Sequence, residues 1–372
     1  MISKINCTSV RFRGSSLFKQ MMLGILLSST ALTACKKIYN VPAGSDYLSE
    51  SINYTVDTYR PVLGRTTVFG SFSSDDSTFP LKFEIVNPRN NAGTATTAFS
   101  QTSSALVWNG RYTGLEKSIA EIEAKRSVEE RPLFEVATSG EFILWAGARN
   151  NNFLKPVSDS AYVFDVRVSN NGGSRLIRKI NIIPRRERPY EPSFHIDEVT
   201  GLSKLEPNGA VKRLIPAILA GMRASTLQRN LEREIRDDQK KTLTQDCWVY
   251  FKKKAGEGHS LTFKFMDKDS LPINPAKFNN TKWDQLVHGF NMEMTPQYVK
   301  YDIAYPVPLI KAPTVYTTID GAQANVVFSY SRIGFSGSRE IGTMSLAFNI
   351  FEKGDWEIIF FFHNDTPKFE NE

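Results

Sequence analysis

Apolar and polar residues alternate along much of the chain. Leu81, Phe83 and Ile85 are separated by Lys82 and Glu84, a period of two that predicts a half-buried strand. Tyr162, Phe164, Val166 and Val168 repeat the pattern around Asp165 and Arg167. Asn170-Asn171-Gly172-Gly173 then tolerates positive φ before the chain returns over Leu176 to Ile183, so the segment reads as a β-hairpin. Phe142 to Ala146 reads as a buried strand. Further on, Trp248 to Phe251 and Leu261 to Phe265 flank a Lys/Gly-rich hairpin loop, and Asp267 to Ser270 turns the chain. Val299, Tyr301, Ile303 and Tyr305 alternate along another strand, whose end Pro306 and Pro308 make edge-like. Met344 to Phe351 and Trp356 to His363, joined by Glu352-Lys353-Gly354-Asp355, predict a closing hairpin. Ile358 to Phe362 is apolar on both faces, which predicts a central, covered strand.

Helical spacing is rare. Leu115, Ile119 and Ile122 fall at i, i+4 and i+7 behind Thr113-x-x-Glu116, a capping-box pattern. Thr281-x-x-Asp284 opens a second short helix carrying Trp283, Leu286, Val287 and Phe290. Residues 87 to 105 read as a long loop, functional or disordered, with disorder the favoured reading. Pro184, Pro189 and Pro192, interleaved with Arg185, Arg186 and Arg188, mark a boundary. Leu214, Ile218 and Met222, then Leu227, Leu231 and Ile235, recur every four residues, but Pro216 argues against one continuous helix. The predicted fold is mainly β: two β-sandwich domains, Ig-like or jelly-roll-like, with a few short helices. The expected divisions are a leader (1–34), a tether (35–50), an N-terminal sandwich (51–183), a Pro/Arg-rich and partly helical linker (184–244) and a C-terminal sandwich (245–372).

The leader changes the arithmetic. Lys4, Arg11, Arg13 and Lys19 precede the apolar run Met21 to Leu27 with no acid among them, a secretory signal pattern. The ending Leu32-Thr33-Ala34-Cys35 resembles a bacterial lipobox, which implies cleavage before Cys35, diacylglycerol on its sulfur and N-acylation. Three acyl chains anchor firmly, since each buried CH₂ contributes about 0.8 kcal/mol. Removing residues 1–34 lowers the formal charge from +7 to +3, with 42 basic against 39 acidic side chains. That balance carries no nucleic-acid signature. Cys7 leaves with the leader and Cys35 is lipidated, so Cys247 stands alone and no intrachain disulfide is expected. Hydrophobic residues at 41% and charged residues at 23% are ordinary globular composition, which excludes a fibre or a wholly disordered chain.

Catalytic signatures are missing. No H-E-x-x-H, G-x-S-x-G or G-x-x-x-x-G-K-[ST] occurs, and His195, His259, His288 and His363 show no ligand spacing. Asp75-Asp76, Asp237-Asp238 and Asp267/Asp269 are carboxylate pairs by type only, each in a turn-like segment. No catalytic residue, metal or cofactor is expected, and Cys247 reads as a buried, inert thiol. Aromatics remain as the candidate chemistry, since exposed rings can stack on sugar faces. Trp108, with Arg111 and Tyr112 in Val-Trp-Asn-Gly-Arg-Tyr, forms the best loop-borne set, although the reading in which both rings pack under the helix as core lids is favoured over it. Trp145, Trp248 and Trp356 sit in strand patterns and are expected in the core, as is Trp283 on its helix. Lys252-Lys253-Lys254 reads as a solvated run or as a contact for anionic headgroups.

Four segments carry a family resemblance: Leu261 to Asp269, Lys282 to Asn291, Phe328 to Phe335 and Glu352 to Phe360. They resemble a family of Bacteroidota outer-membrane lipoproteins built on a domain of unknown function, DUF5007. Those lipoproteins are similar in type to accessory proteins of starch-utilisation-type glycan uptake. The resemblance implies an outer-membrane location through the lipid anchor, a glycan as ligand, and a TonB-dependent transporter with its partner lipoprotein as neighbours. Lys36-Lys37 stands where surface-exported relatives often carry acids, so the face of the membrane stays open. Asp76-Ser77-Thr78, Asp159-Ser160-Ala161 and Asp269-Ser270-Leu271 are similar to the short O-glycosylation motif of this phylum, which implies Ser77, Ser160 and Ser270 as candidate acceptors. The expected function is non-enzymatic binding of a glycan or other polymer. The alternative is a structural or assembly subunit that binds outer-membrane proteins and no glycan.

Overall fold

The computed structural model describes residues 46–153, 161–216, 218–225, 242–334 and 337–372. Cys35, Ser160, Asp237-Asp238 and the repeat Leu227, Leu231 and Ile235 lie outside the described residues. The fold is mainly β, with 44% strand and 4% helix, as the alternation predicts.

The first half contributes β1 (Asn53–Tyr54), β2 (Thr58–Tyr59), β3 (Thr67–Phe69), β4 (Phe72–Ser73), β5 (Lys82–Asn90), β6 (Thr102–Trp108), β7 (Arg126–Pro132), β8 (Phe134–Val136), β9 (Phe142–Leu144), β10 (Tyr162–Asn170) and β11 (Gly173–Ile182). One sheet runs β2-β11-β10-β5 and a second β3-β9-β8, while β6 and β7 form a two-stranded ribbon. The β10–β11 hairpin closes with Asn170 opposite Gly173. Phe164, Val166 and Val168 pack inward against Phe134, Phe142 and Leu144 of the other sheet.

The expected alternation holds in β10, and Asp165, on the face opposite Phe164 and Val166, is buried where β11 and β5 bulge at Lys179 and Asn87. Burial would raise the pKa of its carboxyl. The Lys179 N–H, the Asn87 amide and the Arg89 guanidinium outweigh that and hold it below the usual range. The long loop expected over 87–105 is largely absorbed into structure. β5 continues to Asn90, Asn90 N–H donates to Thr94 O at 2.8 Å, Phe99 is buried, and β6 begins at Thr102.

The one α-helix in the described residues, α1 (Ile119–Glu123), starts later than its capping pattern suggests. Ser118 is the N-cap: Glu121 N–H donates to its Oγ at 3.1 Å, and Lys117 N–H donates to Glu121 Oε2 at 2.9 Å. The capping box is therefore Ser118-x-x-Glu121, and Leu115 is 81% exposed instead of lining the buried face.

The second half contributes β12 (Tyr190–Glu191), β13 (Ile218–Ala220), β14 (Cys247–Lys253), β15 (Ser260–Met266), β16 (Gly289–Met294), β17 (Val299–Ile303), β18 (Ala324–Ile333), β19 (Arg339–Ile350) and β20 (Trp356–Phe362). A five-stranded sheet runs β14-β20-β15-β17-β16. It faces β18 and β19, and β19 also pairs with β12 and β13. Phe263, Phe265, Tyr301, Ile358 and Phe360 meet Val326, Phe328, Met344, Leu346 and Phe348 in one core. The sandwich follows from period-two apolar faces that can be buried only against each other.

Two pairings differ from the sequence reading. β19 and β20 are not a hairpin: β19 lies in one sheet and β20 in the other, because residues 351–355 carry the chain across the core. β14 and β15 do not pair either, since β20 lies between them, antiparallel to the first and parallel to the second. β20 is central as its apolar run predicts. Trp283 to Gln285 forms only a short 3-10 turn, and Phe290 belongs to β16. Trp145 and Trp356 are buried. Trp248 is not in the core. It has the opposite strand parity to Cys247 and Val249 and stacks on His363 at 3.9 Å, with Arg213 5.3 Å from its ring.

Residues expected to be a linker are built into the fold. Leu63 N–H donates to Arg185 O, Arg185 N–H to Pro61 O and Phe351 N–H to Pro189 O. Arg65 reaches Glu191 at 2.8 Å and lies over the Phe351 ring at 3.8 Å. Among the described residues of 184–225 there is no helix: Ile218 and Leu219 belong to β13, because their alternate faces serve the β19 sheet.

Candidate functional site

Trp108, Arg111 and Tyr112 are the residues expected to bind ligand, and they meet different fates. Trp108 and Tyr112 lie 5.8 Å apart and pack on a small cluster of Ile122, Ala304 and Leu309, which joins the two halves of the chain. Arg111 is exposed. The rings therefore serve as lids, the second of the two readings, and the seam they cover is held by polar contacts. His288 Nε2–H donates to Glu116 O at 2.8 Å, which leaves Nδ1 as acceptor for the Tyr112 hydroxyl at 2.5 Å. The Tyr316 ring lies parallel to the imidazole at 4.9 Å. Arg126, buried to 3% exposure, donates from Nη1 to Tyr305 O at 2.7 Å and also pairs with Glu123.

Burial pushes the Tyr112 phenol well above its usual pKa, and the charge of Glu116 adds to that. The Glu116 side chain is almost wholly buried, which acts to raise its pKa. Lys125 and the N–H and hydroxyl of Thr113 all donate to its Oε1 and outweigh burial, bringing the carboxyl down to about 2. Hydrogen bonds to the charged form produce that direction. Tyr112 and His288 thus satisfy each other. The crevice beside them, walled by Pro306, Pro308, Leu309 and Tyr316, holds about 30 Å³, room for a single water-sized guest. The seam is built for joining.

A larger hollow lies in the first half. A cleft of about 320 Å³ opens between β5 and β8, the last strands of their two sheets. That volume is in the range of small-molecule pockets. Its walls are Phe83, Ile85, Phe99, Phe134 and Val136, with the Phe99 and Phe134 rings edge to face at 4.7 Å. Thr96, Ser100, Glu84 and Glu135 supply the polar groups. Glu135 Oε1 accepts the Trp145 indole N–H at 2.8 Å, and Glu84 pairs with Arg167 at 2.6 Å, so each carboxylate has its own positioning partner. Phe99 and Phe134 are buried and form the floor of the cleft, so the half-buried Phe83 ring is the one a ligand's ring can stack on, with the hydroxyls and oriented carboxylates accepting hydrogen bonds from its substituents. The sequence offered no local signal for this cleft. It is assembled from residues 83–88, 96–100 and 132–136, which only tertiary pairing brings together.

The remaining candidates are placed as follows. Ser77 is buried and its Oγ accepts the Ser49 N–H at 3.0 Å, so a sugar there would have to displace packed chain. Ser270 is exposed, in a turn held by Asp267, whose Oδ1 accepts the N–H groups of Asp269 and Leu271. Burial raises the Cys247 thiol well above its usual pKa, with Asp246 adding to the effect. The lysine run is partly consumed: Lys253 pairs with Glu352, and Lys254 joins Lys264 on the buried Glu357. Among the described residues, no three His, Cys, Asp or Glu side chains converge as metal ligands.

A family model described as "Domain of unknown function (DUF5007)" matches residues 72–371. Neither the curated proteins nor the solved structures contain a match.

Proposed function

We propose a role for this chain as a member of the DUF5007 family, to which it belongs: non-enzymatic binding of a glycan or other polymer at the outer membrane. In this reading Cys35 carries the lipid, as in the lipoproteins of Bacteroidota, and the protein works beside a TonB-dependent transporter and its partner lipoprotein. Tethering supports weak binding by raising the local concentration of the binder. The observation that carries the reading is the cleft between β5 and β8, with its aromatic walls and oriented Glu135. Both glutamates that line it are engaged by partners outside it, Glu135 by the Trp145 indole and Glu84 by Arg167, which favours holding a ligand over cleaving one.

The test is retention of lipid-free protein (Cys35→Ala) on a panel of immobilised polysaccharides. Ile85→Trp, which fills the cleft, and Glu135→Gln should abolish or weaken retention, while Arg111→Ala leaves it intact. Retention lost with Arg111→Ala or Trp108→Ala but kept in the cleft variants would return the site to the seam. No retention on any polysaccharide would refute the glycan reading.

A second reading, an assembly subunit that binds other membrane proteins, is favoured by one feature. Val199, Leu202 and Leu205 are 76%, 69% and 64% exposed within a single surface segment, with Phe194 beside them.

A further inference from the structure

Two large aromatic side chains stand exposed where the N-terminal chain joins the fold: Tyr47 at 52% and Phe79 at 67%. Their backbones are fixed side by side. Tyr47 N–H donates to Thr78 Oγ1 at 3.1 Å, and Thr78 N–H donates to Tyr47 O at 2.8 Å. The Asn170 amide donates to both carbonyls, Tyr47 O at 3.0 Å and Thr78 O at 2.9 Å. Asn171 donates to Asp46 at 2.8 Å, and a Cβ on Gly172 would strike Asp46 O at 1.9 Å. The first described residues are therefore clamped onto the turn of the β10–β11 hairpin, and Gly172 is what lets them lie that close.

Cys35 lies eleven positions before Asp46 in the sequence. At roughly 3.3–3.6 Å per residue, that segment reaches less than about 40 Å even fully extended. A lipid on Cys35 would thus keep this end of the molecule beside the bilayer. We propose that Tyr47 and Phe79 dock on the headgroup region of the membrane that holds the anchor. Aromatic rings favour that interface, where one edge meets apolar chains and the other water. Asp46, Glu50, Asp75 and Asp76 outnumber Lys82 and Arg175 at the same end, so the surface that fits is zwitterionic and not strongly anionic. The docking rests on the anchoring proposed above and adds an orientation to it: the hairpin turn faces the membrane, and the far end of β11, with the segment from Arg185, faces away.

The experiment uses the mature lipidated protein in phosphatidylethanolamine/phosphatidylcholine vesicles. Phe79→Cys is labelled with an environment-sensitive nitrobenzoxadiazole probe, which Cys247, being fully buried, does not compete for. Leu115→Cys, at another exposed position, is the solvent reference. The docking predicts vesicle flotation, blue-shifted emission at position 79 quenched by shallow nitroxide lipids, water-like emission at 115, and no gain on adding phosphatidylglycerol. Flotation with water-like emission at 79, or equal quenching at both positions, overturns the docking while leaving the anchor intact. A gain with phosphatidylglycerol overturns the choice of a zwitterionic surface. Failure of the lipidated protein to float, or flotation of the Cys35→Ala protein under the same conditions, overturns the anchor and, with it, this derivation of the docking.

Discussion

Replacing Arg126 with methionine removes a cation from the seam while keeping most of its volume. The wild-type guanidinium is 3% exposed and makes one charge-assisted bond to Tyr305 O at 2.7 Å. A hydrogen bond to a charged group contributes about 1.5–3 kcal/mol. The pair with Glu123 adds about 0.2–1 kcal/mol, since the carboxylate is half exposed. The Trp108 ring, 5.4 Å from the guanidinium, adds on the order of 0.5–1 kcal/mol. Against these stands the cost of burying the charge, which methionine avoids and which offsets much of the gain from the ion pair and the ring. The net expected loss is about 2 kcal/mol, mostly from the orphaned Tyr305 carbonyl. Guanidinium chloride unfolding, followed by tryptophan emission and far-ultraviolet dichroism, measures it. Arg131→Met is the control, because Arg131 and Glu129 form a pair in which both partners are more than a third exposed and the expected loss is under about 1 kcal/mol. If Arg126→Met costs no more than the control, the seam bond does not couple the halves and the reasoning fails.

Two further outcomes are expected. Glu116 has a folded pKa of about 2 against an ordinary value of 4.5, so the fold favours its ionised form. Its contribution is whole above pH about 4.5 and is lost as the pH falls toward about 2. Urea midpoints measured down that range should fall more steeply for the native protein than for Glu116→Gln, and parallel curves would contradict the assignment. Cys247 should resist iodoacetamide at pH 8 in the native protein and react readily in denaturant. Native labelling at the denatured rate would show that the thiol is not enclosed.

How much the sequence disclosed depended on how local each feature is. The β10–β11 hairpin was legible because both its strands and its Asn-Asn-Gly-Gly turn lie within about twenty residues and specify the same register. β19 and β20 were equally plain as strands, but which sheet a strand joins depends on partners far away in the chain, and a short connection cannot distinguish a hairpin from a crossing between sheets. Trp248 was misplaced because both parities of its strand are apolar: Cys247, Val249 and Phe251 inward, Trp248 and Tyr250 outward. Thr113 and Glu116 do pair as a capping box would, yet without a helix behind them, and the helix uses Ser118 and Glu121 instead. The ligand residues chosen from the sequence were loop-borne aromatics. The cleft that better fits a ligand is walled by strand residues whose pattern says only that they are half-buried.

The position of β20 has a consequence for how the protein is made. Its seven residues follow every other described strand in the sequence, yet they lie between β14 and β15 and supply Ile358, Phe360 and Phe362 to the core. Until they emerge, β14 and β15 have no common neighbour, and the five-stranded sheet cannot close. Synthesis runs from the N-terminus at about 5–20 residues per second, so the first half can acquire its own pairings while the five-stranded sheet waits for residues 356–362. Translation that stopped just before Trp356 would leave two long apolar strands with unpaired edges, a product marked for aggregation or degradation.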